Sequence, residues 1–303
     1  MYDVLTIGEL NCDLIMTGLK ELPQLNREIM GDSFRQVLGS STAICAAGLS
    51  ALDLRVGFHG AIGDDDGGRF ARAALADTGV DVQHCIVDKT VNTGVTIALN
   101  TQGDRALVTY LGAIETFCFE QIDLSLLSQA RHIHVGSFFL QHALRPGLAE
   151  LFRLARAAGV TTSLDAGWDD TGEWDGGLMD VLRHTTIFLP NETEALHATK
   201  AKTPEEAAKL LPAEICVVKC GADGAMAYRD GQLYTGKPFK VTPVDTTGAG
   251  DSFNAGFIYG FLNGFSMEDC LTYGNACGAI SVTKIGGASA CATLADVREI
   301  MAK

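Results

Sequence analysis

Short apolar runs alternate with amphipathic or small-residue runs along most of this chain of 303 residues, and this alternation constrains the fold most strongly. Strand patterns are predicted at 2–8, 54–59, 131–135, 160–165, 186–190 and 215–219, and helix patterns at 41–52, 70–79, 147–159 and 267–283. Strands that alternate with helices indicate a parallel sheet covered by helices on both faces. We therefore predict an α/β fold, with one domain over residues 1–303.

Two segments break this rhythm. Residues 14–34 and 93–110 alternate in polarity with a period of two and carry no matching helix pattern. The second contains Gln102-Gly103-Asp104, which is typical of a hairpin turn. Since the sequence shows no linker or repeat around them, we assign both segments to the same domain.

Composition limits the partners and the location of the chain. A formal net charge of −14 disfavours nucleic acid and anionic membranes as partners. The sequence has no uninterrupted apolar run of about 18 residues, and it begins without the basic stretch of a signal peptide. Its nine cysteines are scattered without a Cys-x-x-Cys pair, which is typical of reduced thiols. We therefore expect a cytoplasmic protein.

The clearest indication of chemistry lies between residues 244 and 264. Gly248, Ala249 and Gly250 are small residues at a predicted helix start, and Asp251 follows at once. Unpaired N–H groups and the positive end of the helix dipole can hold an anion there. A neighbouring carboxylate can accept the proton of a hydroxyl that attacks a phosphoryl group. A glycine-rich core helix, with Asp251 as a partner of the dipole, is the alternative interpretation.

The helix that follows carries two stripes at a spacing of four residues. They are an aromatic stripe of Phe253, Phe257 and Phe261, and a glycine stripe of Gly256, Gly260 and Gly264. An aromatic stripe predicts burial, and a glycine stripe lets another backbone approach closely. We expect this helix to lie at the centre of the domain.

Residues 245–253, Asp-Thr-Thr-Gly-Ala-Gly-Asp-Ser-Phe, resemble the C-terminal signature of the ribokinase-like (PfkB-type) carbohydrate kinases. Further landmarks of that family fall in the expected order along the whole chain. The resemblance implies a ribokinase-like three-layer α/β/α sandwich with a mainly parallel central sheet. It also implies that the γ-phosphate of ATP is transferred to a hydroxyl of a small sugar, with Asp251 as the base. Segments 14–34 and 93–110 would form a small β-sheet lid, through which two copies pair as a homodimer.

The resemblance assigns further residues to ATP and to Mg²⁺. Asn191-Glu192-Thr193-Glu194 is similar to the Asn-x-x-Glu motif of the family, so Glu194 would hold Mg²⁺ through water and Asn191 would act near the phosphates. From the residues alone, Asn191 is as well explained as a helix N-cap with exposed acids behind it.

A second loop would contact the nucleotide. Lys219, Gly221 and Gly224 follow a predicted strand and match the glycine loop of the family, and Asn275 matches a residue of the adenine and ribose pocket. Lysine at 219, where relatives often carry a hydroxyl residue, can reach phosphates as a point charge. Without the resemblance, a β-turn with a surface lysine explains the loop equally well.

The sugar side departs from the family pattern. Asp13 follows the first strand, where α/β sheets bind ligands, and in relatives an aspartate here binds sugar hydroxyls. Relatives carry Gly-Gly-x-x-x-Asn where residues 38–43 read Leu-Gly-Ser-Ser-Thr-Ala, so Gly39 is kept but the asparagine is lost. A hydroxyl that this amide would hold must find Ser40, Ser41 or water, which leaves the identity of the sugar open.

Two more assignments follow from the resemblance. Asp245, Thr247, Ser281 and Gly286 correspond to a monovalent-cation site, which implies K⁺ as a further cofactor. Residues 165–169, Asp-Ala-Gly-Trp-Asp, lack the asparagine and arginine of the Asp-x-Asn-x-Arg stretch of keto-sugar-acid kinases, which argues against an acidic sugar.

Other interpretations remain at this point. His132 and His134 would face the same side of a strand, and we expect a packed pair rather than metal ligands. A nucleoside kinase of the same fold would need aromatic residues from the lid, or Phe138 and Phe139, to stack a base. A catalytically silent sugar-binding regulator would have no use for an anion site at residues 248–251.

Overall fold

The computed structural model describes residues 1–101 and 105–302, with only the backbone described at Arg105. Its strands are β1 (Tyr2–Ile7), β2 (Asn11–Leu19), β3 (Ser33–Leu38), β4 (Val56–His59), β5 (Ala61–Gly63), β6 (Ile86–Asp88), β7 (Gly94–Thr101), β8 (Arg105–Tyr110), β9 (Ala130–Val135), β10 (Thr161–Leu164), β11 (Ile187–Phe188), β12 (Ile215–Lys219), β13 (Ala225–Arg229) and β14 (Gln232–Gly236). Its helices are α1 (Ser41–Ala51), α2 (Asp66–Asp77), α3 (Ala113–Thr116), α4 (Leu148–Ala157), α5 (Leu178–Leu182), α6 (Glu192–Thr199), α7 (Pro204–Leu210), α8 (Ala249–Leu262), α9 (Met267–Ser281) and α10 (Leu294–Met301).

The central sheet of the described residues has the strand order β14-β13-β12-β11-β10-β9-β1-β4. Its strands run parallel except for β13 and β14, which add an antiparallel hairpin at one edge. One apolar core packs α4 to α7 on one face, and a second packs α1, α8, α9 and α10 on the other. The predicted three-layer sandwich with a mainly parallel sheet is confirmed. Because the parallel strands end at one edge, the loops after β1, β10 and β12 meet there.

Helix α8 shows why its sequence is rich in glycine. A methyl group at Gly256 would lie 2.5 Å from the carbonyl oxygen of Tyr273, and one at Gly260 would lie 3.1 Å from Cα of Cys270. Both glycines therefore admit α9 to close contact, while Phe253 and Phe257 are buried. Gly264 is different, since it follows the helix with a φ of +70° and has nothing within 4 Å of an added methyl group. The predicted glycine stripe was wrong at that position.

The helix predicted at 70–79 begins four residues earlier, at Asp66. Asp65 caps it, because its carboxylate accepts a hydrogen bond of 2.8 Å from the Gly68 N–H. The same carboxylate accepts bonds of 2.8 and 2.7 Å from the N–H and hydroxyl of Thr93. The first turn is polar, so the apolar pattern used for the prediction appeared only at Phe70.

A separate small sheet has the order β3-β2-β7-β8. Its strands come from the two segments with a period of two, but β2 begins at Asn11 and β3 runs to Leu38, so the predicted bounds of 14–34 were displaced. The hairpin turn predicted at Gln102-Gly103-Asp104 lies outside the described residues. Among the described helices, none combines the length and the apolar character needed to cross a bilayer.

Candidate active site

The N-terminus of α8 is built on a glycine that no other residue can replace without strain. Gly248 caps the helix with a φ of +73°, and a methyl group there would lie 3.0 Å from Cα of Gly287 and 3.1 Å from Ile44. Both the left-handed backbone and the crowding require glycine. Ala249 and Gly250 follow in the first turn and line a cavity of about 580 Å³.

This cavity brings together most of the residues predicted to bind a nucleotide. Its lining includes Lys219, Gly221, Gly224, Ala249, Gly250 and Asn275. Pro238, Phe239 and Val282 give it apolar walls, and the Asn275 amide donates a hydrogen bond of 3.2 Å to the Lys237 carbonyl. A pocket that combines apolar walls with a few fixed polar groups is typical of a small-molecule site.

Lys219 is not the surface lysine of the alternative interpretation. Its ammonium lies 2.6 Å from Oδ2 of Asp165 and 3.1 Å from Oδ1 of Asn254, and its side chain is 11% exposed. Burial lowers the pKa of Lys219, but the charges of Asp165 and Glu194 outweigh that effect and raise it. The ammonium is therefore charged at neutral pH.

Asn191 and Glu194 do form a helix cap. The Asn191 side chain accepts a bond of 2.9 Å from the Glu194 N–H, and the Glu194 carboxylate accepts from the Asn191 N–H at 2.8 Å and from its amide at 2.6 Å. Glu194 is buried, however, whereas a simple cap would leave it exposed. Burial and the charge of Asp165 raise its pKa to about 8. A cation that binds to this carboxyl group would displace its proton, because the positive charge stabilises the carboxylate.

Asp251 lies in the first turn of α8, half-buried. Burial and the charge of Asp165 raise its pKa well above the usual value, against the lowering effects of Lys219 and of a hydrogen bond donated by the Ser41 side chain. A carboxyl group with a raised pKa is a stronger base when it is ionised. The charge of Lys219 and the Ser41 hydroxyl therefore both favour the ionised form of Asp251.

The predicted sugar residues lie at the start of β2, which holds Asp13, and between β3 and α1, where Gly39 and Ser40 stand. A methyl group at Gly39 would overlap Oδ1 of Asp13 and would lie 2.6 Å from Oδ1 of Asn11. Oδ1 of Asn11 is buried without a hydrogen-bond partner, although the Asn11 amide nitrogen donates to Thr96 at 3.1 Å. Two oxygens that accept hydrogen bonds therefore converge beside Gly39.

Ser40 holds the backbone in place at this point. It has a φ of +75° and caps α1. Its hydroxyl donates a bond of 2.6 Å to the Glu9 carbonyl and accepts one of 3.4 Å from the Ala43 N–H. The neighbouring Ser41 is half-buried, and its side chain faces Asp251.

Sequence reasoning missed Glu9, although it lies in the same segment as Asp13. Its Oε1 accepts bonds of 2.9 and 3.4 Å from the N–H groups of Ser41 and Thr42. Burial and the charge of Asp13 raise its pKa to about 7, against hydrogen bonds that lower it. Asn11, Asp165 and Asn254 were also missed as site residues. For Asn254 a signal existed, since it stands three residues after Asp251 on the same helix face.

Three residues of the implied cation site, Asp245, Thr247 and Gly286, lie on two adjoining loops, and Ser281 is the last residue of α9. The Asp245 carboxylate accepts a bond of 2.9 Å from the Thr247 N–H within its own loop and one of 3.0 Å from the Gly286 N–H. The bond from Gly286 holds loop 245–247 against the loop that follows α9. The Ser281 hydroxyl donates at 2.9 Å to the Gly278 carbonyl inside the helix.

His132 and His134 are buried and packed. His132 shares hydrogen bonds of 2.7 Å with Thr161 and with Ser163, and His134 shares one of 2.8 Å with Ser163. Within the described part of the chain, no cluster of three His, Cys, Asp or Glu side chains is arranged to hold a metal ion.

Comparison with known proteins agrees with this geometry. Residues 1–294 match the pfkB family of carbohydrate kinases. An ATP-dependent ribose-1-phosphate kinase of Halopiger xanaduensis is 35% identical over 292 residues, which cover 96% of this chain and 95% of that protein. A 5-dehydro-2-deoxygluconokinase of Shouchella clausii is 28% identical, covering 99% of this chain and 95% of the relative.

A solved structure supports the fold. A putative ribokinase II of E. coli, in complex with ATP and Mg²⁺, superposes with a TM-score of 0.87 at 24% identity and covers 100% of this chain and 99% of that one. The resemblance noted from residues 245–253 is thereby confirmed over the whole length. The chain belongs to the pfkB family of carbohydrate kinases.

Proposed function

We propose that this carbohydrate kinase transfers the γ-phosphate of ATP to a hydroxyl of a small sugar, with Asp251 as the general base. The observation that carries the proposal is the position of Asp251. It stands at the glycine-rich start of α8, with Ala249 and Gly250 in the wall of a nucleotide-sized cavity. The Ser41 side chain donates a hydrogen bond to Asp251, and Ser41 lies two residues after Gly39, which packs against Asp13.

The proposed reaction follows from these contacts. A sugar hydroxyl between Asp13 and Asp251 gives its proton to the Asp251 carboxylate, and the oxygen attacks the γ-phosphate in line. The N–H groups of residues 248, 250 and 251 and the dipole of α8 stabilise the negative charge of the transferring group. The predicted contribution of the Ala249 N–H is not included, because that group already donates to the Thr246 carbonyl at 3.3 Å.

Glu194 and Asn191 would support Mg²⁺ near Lys219, since the backbone of Asn191 pairs with that of Lys219. Mg²⁺ takes few protein oxygens and keeps several waters, so one buried carboxylate with the phosphate oxygens of ATP suffices. The ion would neutralise charge on the phosphates. Lys219, Gly221, Gly224 and Asn275 would contact the nucleotide, since they line the same cavity.

K⁺ would bind between loop 245–247 and the segment 281–286. Asp245 joins them through its bond from the Gly286 N–H, and Ser281 ends α9 at the start of that segment. Backbone carbonyl groups are suitable ligands for a monovalent cation. Because Gly287, directly after this segment, leaves no room for a side chain at Gly248, an ion here would help to fix the start of α8.

The acceptor is proposed to be a sugar rich in hydroxyl groups. Oδ1 of Asn11 and the Asp13 carboxylate can only accept hydrogen bonds, so they select hydroxyl donors. Asp169 stands where keto-sugar-acid kinases carry arginine, and its carboxylate accepts hydrogen bonds from the Trp174 N–H at 2.6 Å and from Thr171. A ribose-like acceptor, as in the name of the Halopiger relative, fits these groups better than a sugar acid.

A nucleoside acceptor is less well supported. Phe138 and Phe139, which could have stacked a base, are 0% and 1% exposed and belong to the apolar core. Their rings pack edge to face at 5.0 Å, and Phe139 packs in the same way on Trp174 at 5.4 Å. Neither ring is available to a ligand.

The acceptor screen measures release of ADP from ATP and Mg²⁺ in the presence of single candidate acceptors. The panel contains ribose, ribose 1-phosphate, ketoses, 5-dehydro-2-deoxygluconate and nucleosides, with Asp251→Asn as the blank. We expect release that depends on a pentose or pentose phosphate and is absent from the blank. Sugar-dependent thermal stabilisation without ADP release would instead support a silent sugar-binding protein.

We also propose that two copies associate through the small sheet, in the cytoplasm where ATP is available. Phe34, Ile97, Val108 and Tyr110 are all exposed on it, by 60%, 41%, 61% and 52%. Ile97 pairs with Val108, whereas Asp13 pairs with Thr96 one position away. Since successive side chains alternate between faces, the apolar residues lie on the face opposite Asp13. A second copy would cover this outer face.

A further inference from the structure

Three polar side chains form a closed triangle beneath the start of α8. The Lys219 ammonium donates to Oδ2 of Asp165 at 2.6 Å and to Oδ1 of Asn254 at 3.1 Å. The Asn254 amide nitrogen donates to the same Oδ2 of Asp165 at 2.7 Å. Each corner touches the other two, so the position of the ammonium is fixed from two sides.

The triangle joins three separate elements at the site. Asp165 directly follows β10, Lys219 ends β12, and Asn254 lies in α8 one turn after Asp251. Oδ1 of Asp165 is held in turn by the Gly167 N–H at 3.1 Å. All four hydrogen bonds are made by residues that are buried or nearly so, which makes the arrangement rigid.

The ammonium points at the anion site. A methyl group added at Gly250 would lie 3.4 Å from Nζ of Lys219 and 3.8 Å from its Cε. Lys219 also lines the cavity of about 580 Å³. The triangle therefore presents one positive charge at the floor of the cavity, beside the N–H groups of the first turn of α8.

A contribution to stability does not by itself explain why a buried triangle of Lys219, Asp165 and Asn254 is present. Burying an ion pair removes both partners from water, and apolar residues of similar size often stabilise a protein as well or better. The amide of Asn254 adds specificity, since it holds the Asp165 oxygen that receives the ammonium. A fixed positive charge close to developing negative charge is, in contrast, an effective way to lower a barrier.

We propose that Asp165 and Asn254 are positioning residues that hold the Lys219 ammonium against the first turn of α8, where it contacts the phosphoryl group during transfer. The assignment rests on the proposed kinase function and adds two residues to it. Lys219 is then a catalytic residue, and Asp165 and Asn254 contribute to transfer by holding its ammonium in place.

A double-mutant cycle separates positioning from a merely structural role. Lys219→Met should lower kcat by about 100-fold, as loss of one donor to a transition state does, with a much smaller change in KM for ATP. Asp165→Asn should lower kcat by a smaller factor than Lys219→Met. The Lys219 ammonium stays in the cavity and loses only the carboxylate that positions it. In the Lys219→Met background, Asp165→Asn should not lower kcat further, because the ammonium that Asp165 positions is already absent.

Asn254→Ser provides a milder variant for the same cycle, in case Asp165→Asn fails to fold. Lys219→Arg tests rescue, since it keeps the charge and should recover part of kcat. Asn263→Ala is the matched control, because Asn263 is an exposed residue at the far end of α8 and should keep wild-type kinetics.

The outcomes are distinct. If a double variant loses no more kcat than Lys219→Met alone, the positioning role is supported. If the losses in kcat of the two single variants multiply, the positioning role is wrong and the proposed kinase function is unaffected. Wild-type protein that releases no ADP with any acceptor overturns both.

Discussion

At the scale of single residues, the proposed site depends on glycine positions where an added methyl group would clash with neighbouring atoms. Gly39 is one of them, because a methyl group there would overlap Oδ1 of Asp13 and press on Oδ1 of Asn11. Its φ is not in the left-handed region, so the requirement for glycine comes from the space these oxygens occupy. That space is where the proposed sugar hydroxyl is bound.

Gly39→Ala should therefore weaken acceptor binding selectively. We expect KM for the sugar to rise by about 10-fold or more, as expected when a methyl group displaces two hydrogen-bonding groups, with KM for ATP unchanged. Steady-state kinetics with each substrate varied in turn will measure this. Gly67→Ala is the control, since a methyl group there has no neighbour closer than 3.5 Å. Equal rises in both KM values would contradict the assignment.

Motif residues could be predicted one by one, and their neighbours could not. Asp251 and Glu194 were named from short patterns with a fixed spacing. Glu9 carries no pattern of its own, and the patterns around Asp165 and Asn254 did not indicate their contacts, because the fold brings each of them to residues distant in sequence. Asp165 lies 54 positions from Lys219 and 89 from Asn254. Only the tertiary structure shows those pairs.

At the scale of elements, β9 and β10 share a polar ladder inside the sandwich. It consists of His132 and His134 on β9 and Thr161 and Ser163 on β10, joined by the hydrogen bonds described above. Burial lowers the pKa of His132 to about 3 and, with a smaller opposing effect of Asp165, that of His134 to about 4. Both rings are therefore neutral in the folded protein above these values.

The ladder should make the protein lose stability in acid. Below the unfolded-state pKa of about 6.5 the unfolded chain binds protons that the folded chain does not, so the free energy of unfolding falls. Each buried histidine should lower the free energy of unfolding by about 2 kcal/mol when the pH falls from 7 to 5. In urea unfolding at both pH values, the drop in the free energy of unfolding should be smaller in His134→Gln than in the wild type by about that amount.

His142→Gln, outside the ladder, is the control and should keep the wild-type dependence on pH. An unchanged dependence in His134→Gln would mean that the His134 ring is protonated in the folded protein.

Element types were predicted better than their bounds. Strand β12 was predicted with the bounds it has, because a continuous apolar run ends at a lysine and a glycine. Helix α2 was predicted too short, since its first turn is polar and its cap depends on Thr93, which lies 28 residues away. The hairpin of β13 and β14 was not predicted, as its strands are short and only partly buried.

At the scale of the whole molecule, the small sheet leaves an apolar face that one chain does not cover. Val108→Lys places a charge on the outer face, at the edge strand β8 and beside its partner Ile97. We expect a homodimer of the wild type and a monomer of this variant in sedimentation equilibrium at micromolar concentration. Leu210→Lys is matched to it, since Leu210 is also 61% exposed but lies on α7, and it should remain dimeric. A monomeric wild type would rule out the proposed pairing.

The alternation of strand and helix patterns in the sequence predicts the three layers of the molecule. The layers in turn determine where the proposed nucleotide and sugar halves of the site lie. Parallel strands bring the ends of β1, β10 and β12 to one edge, and α8 begins there. Residues for the proposed nucleotide half could be named from the sequence because its glycines form a long motif. The sugar half was less predictable, because residues 38–43 depart from the family pattern and their contacts depend on Glu9 and Asn11.

The proposed mechanism requires Asp251 to accept the proton of the attacking hydroxyl. The decisive measurement is kcat of Asp251→Asn with the acceptor that the screen identifies, compared with Asp180→Asn, an exposed acid on α5. Loss of a general base predicts a fall in kcat of about 100-fold or more, with ATP still bound and with Asp180→Asn close to wild type. A kcat of Asp251→Asn near the wild-type value would contradict the account.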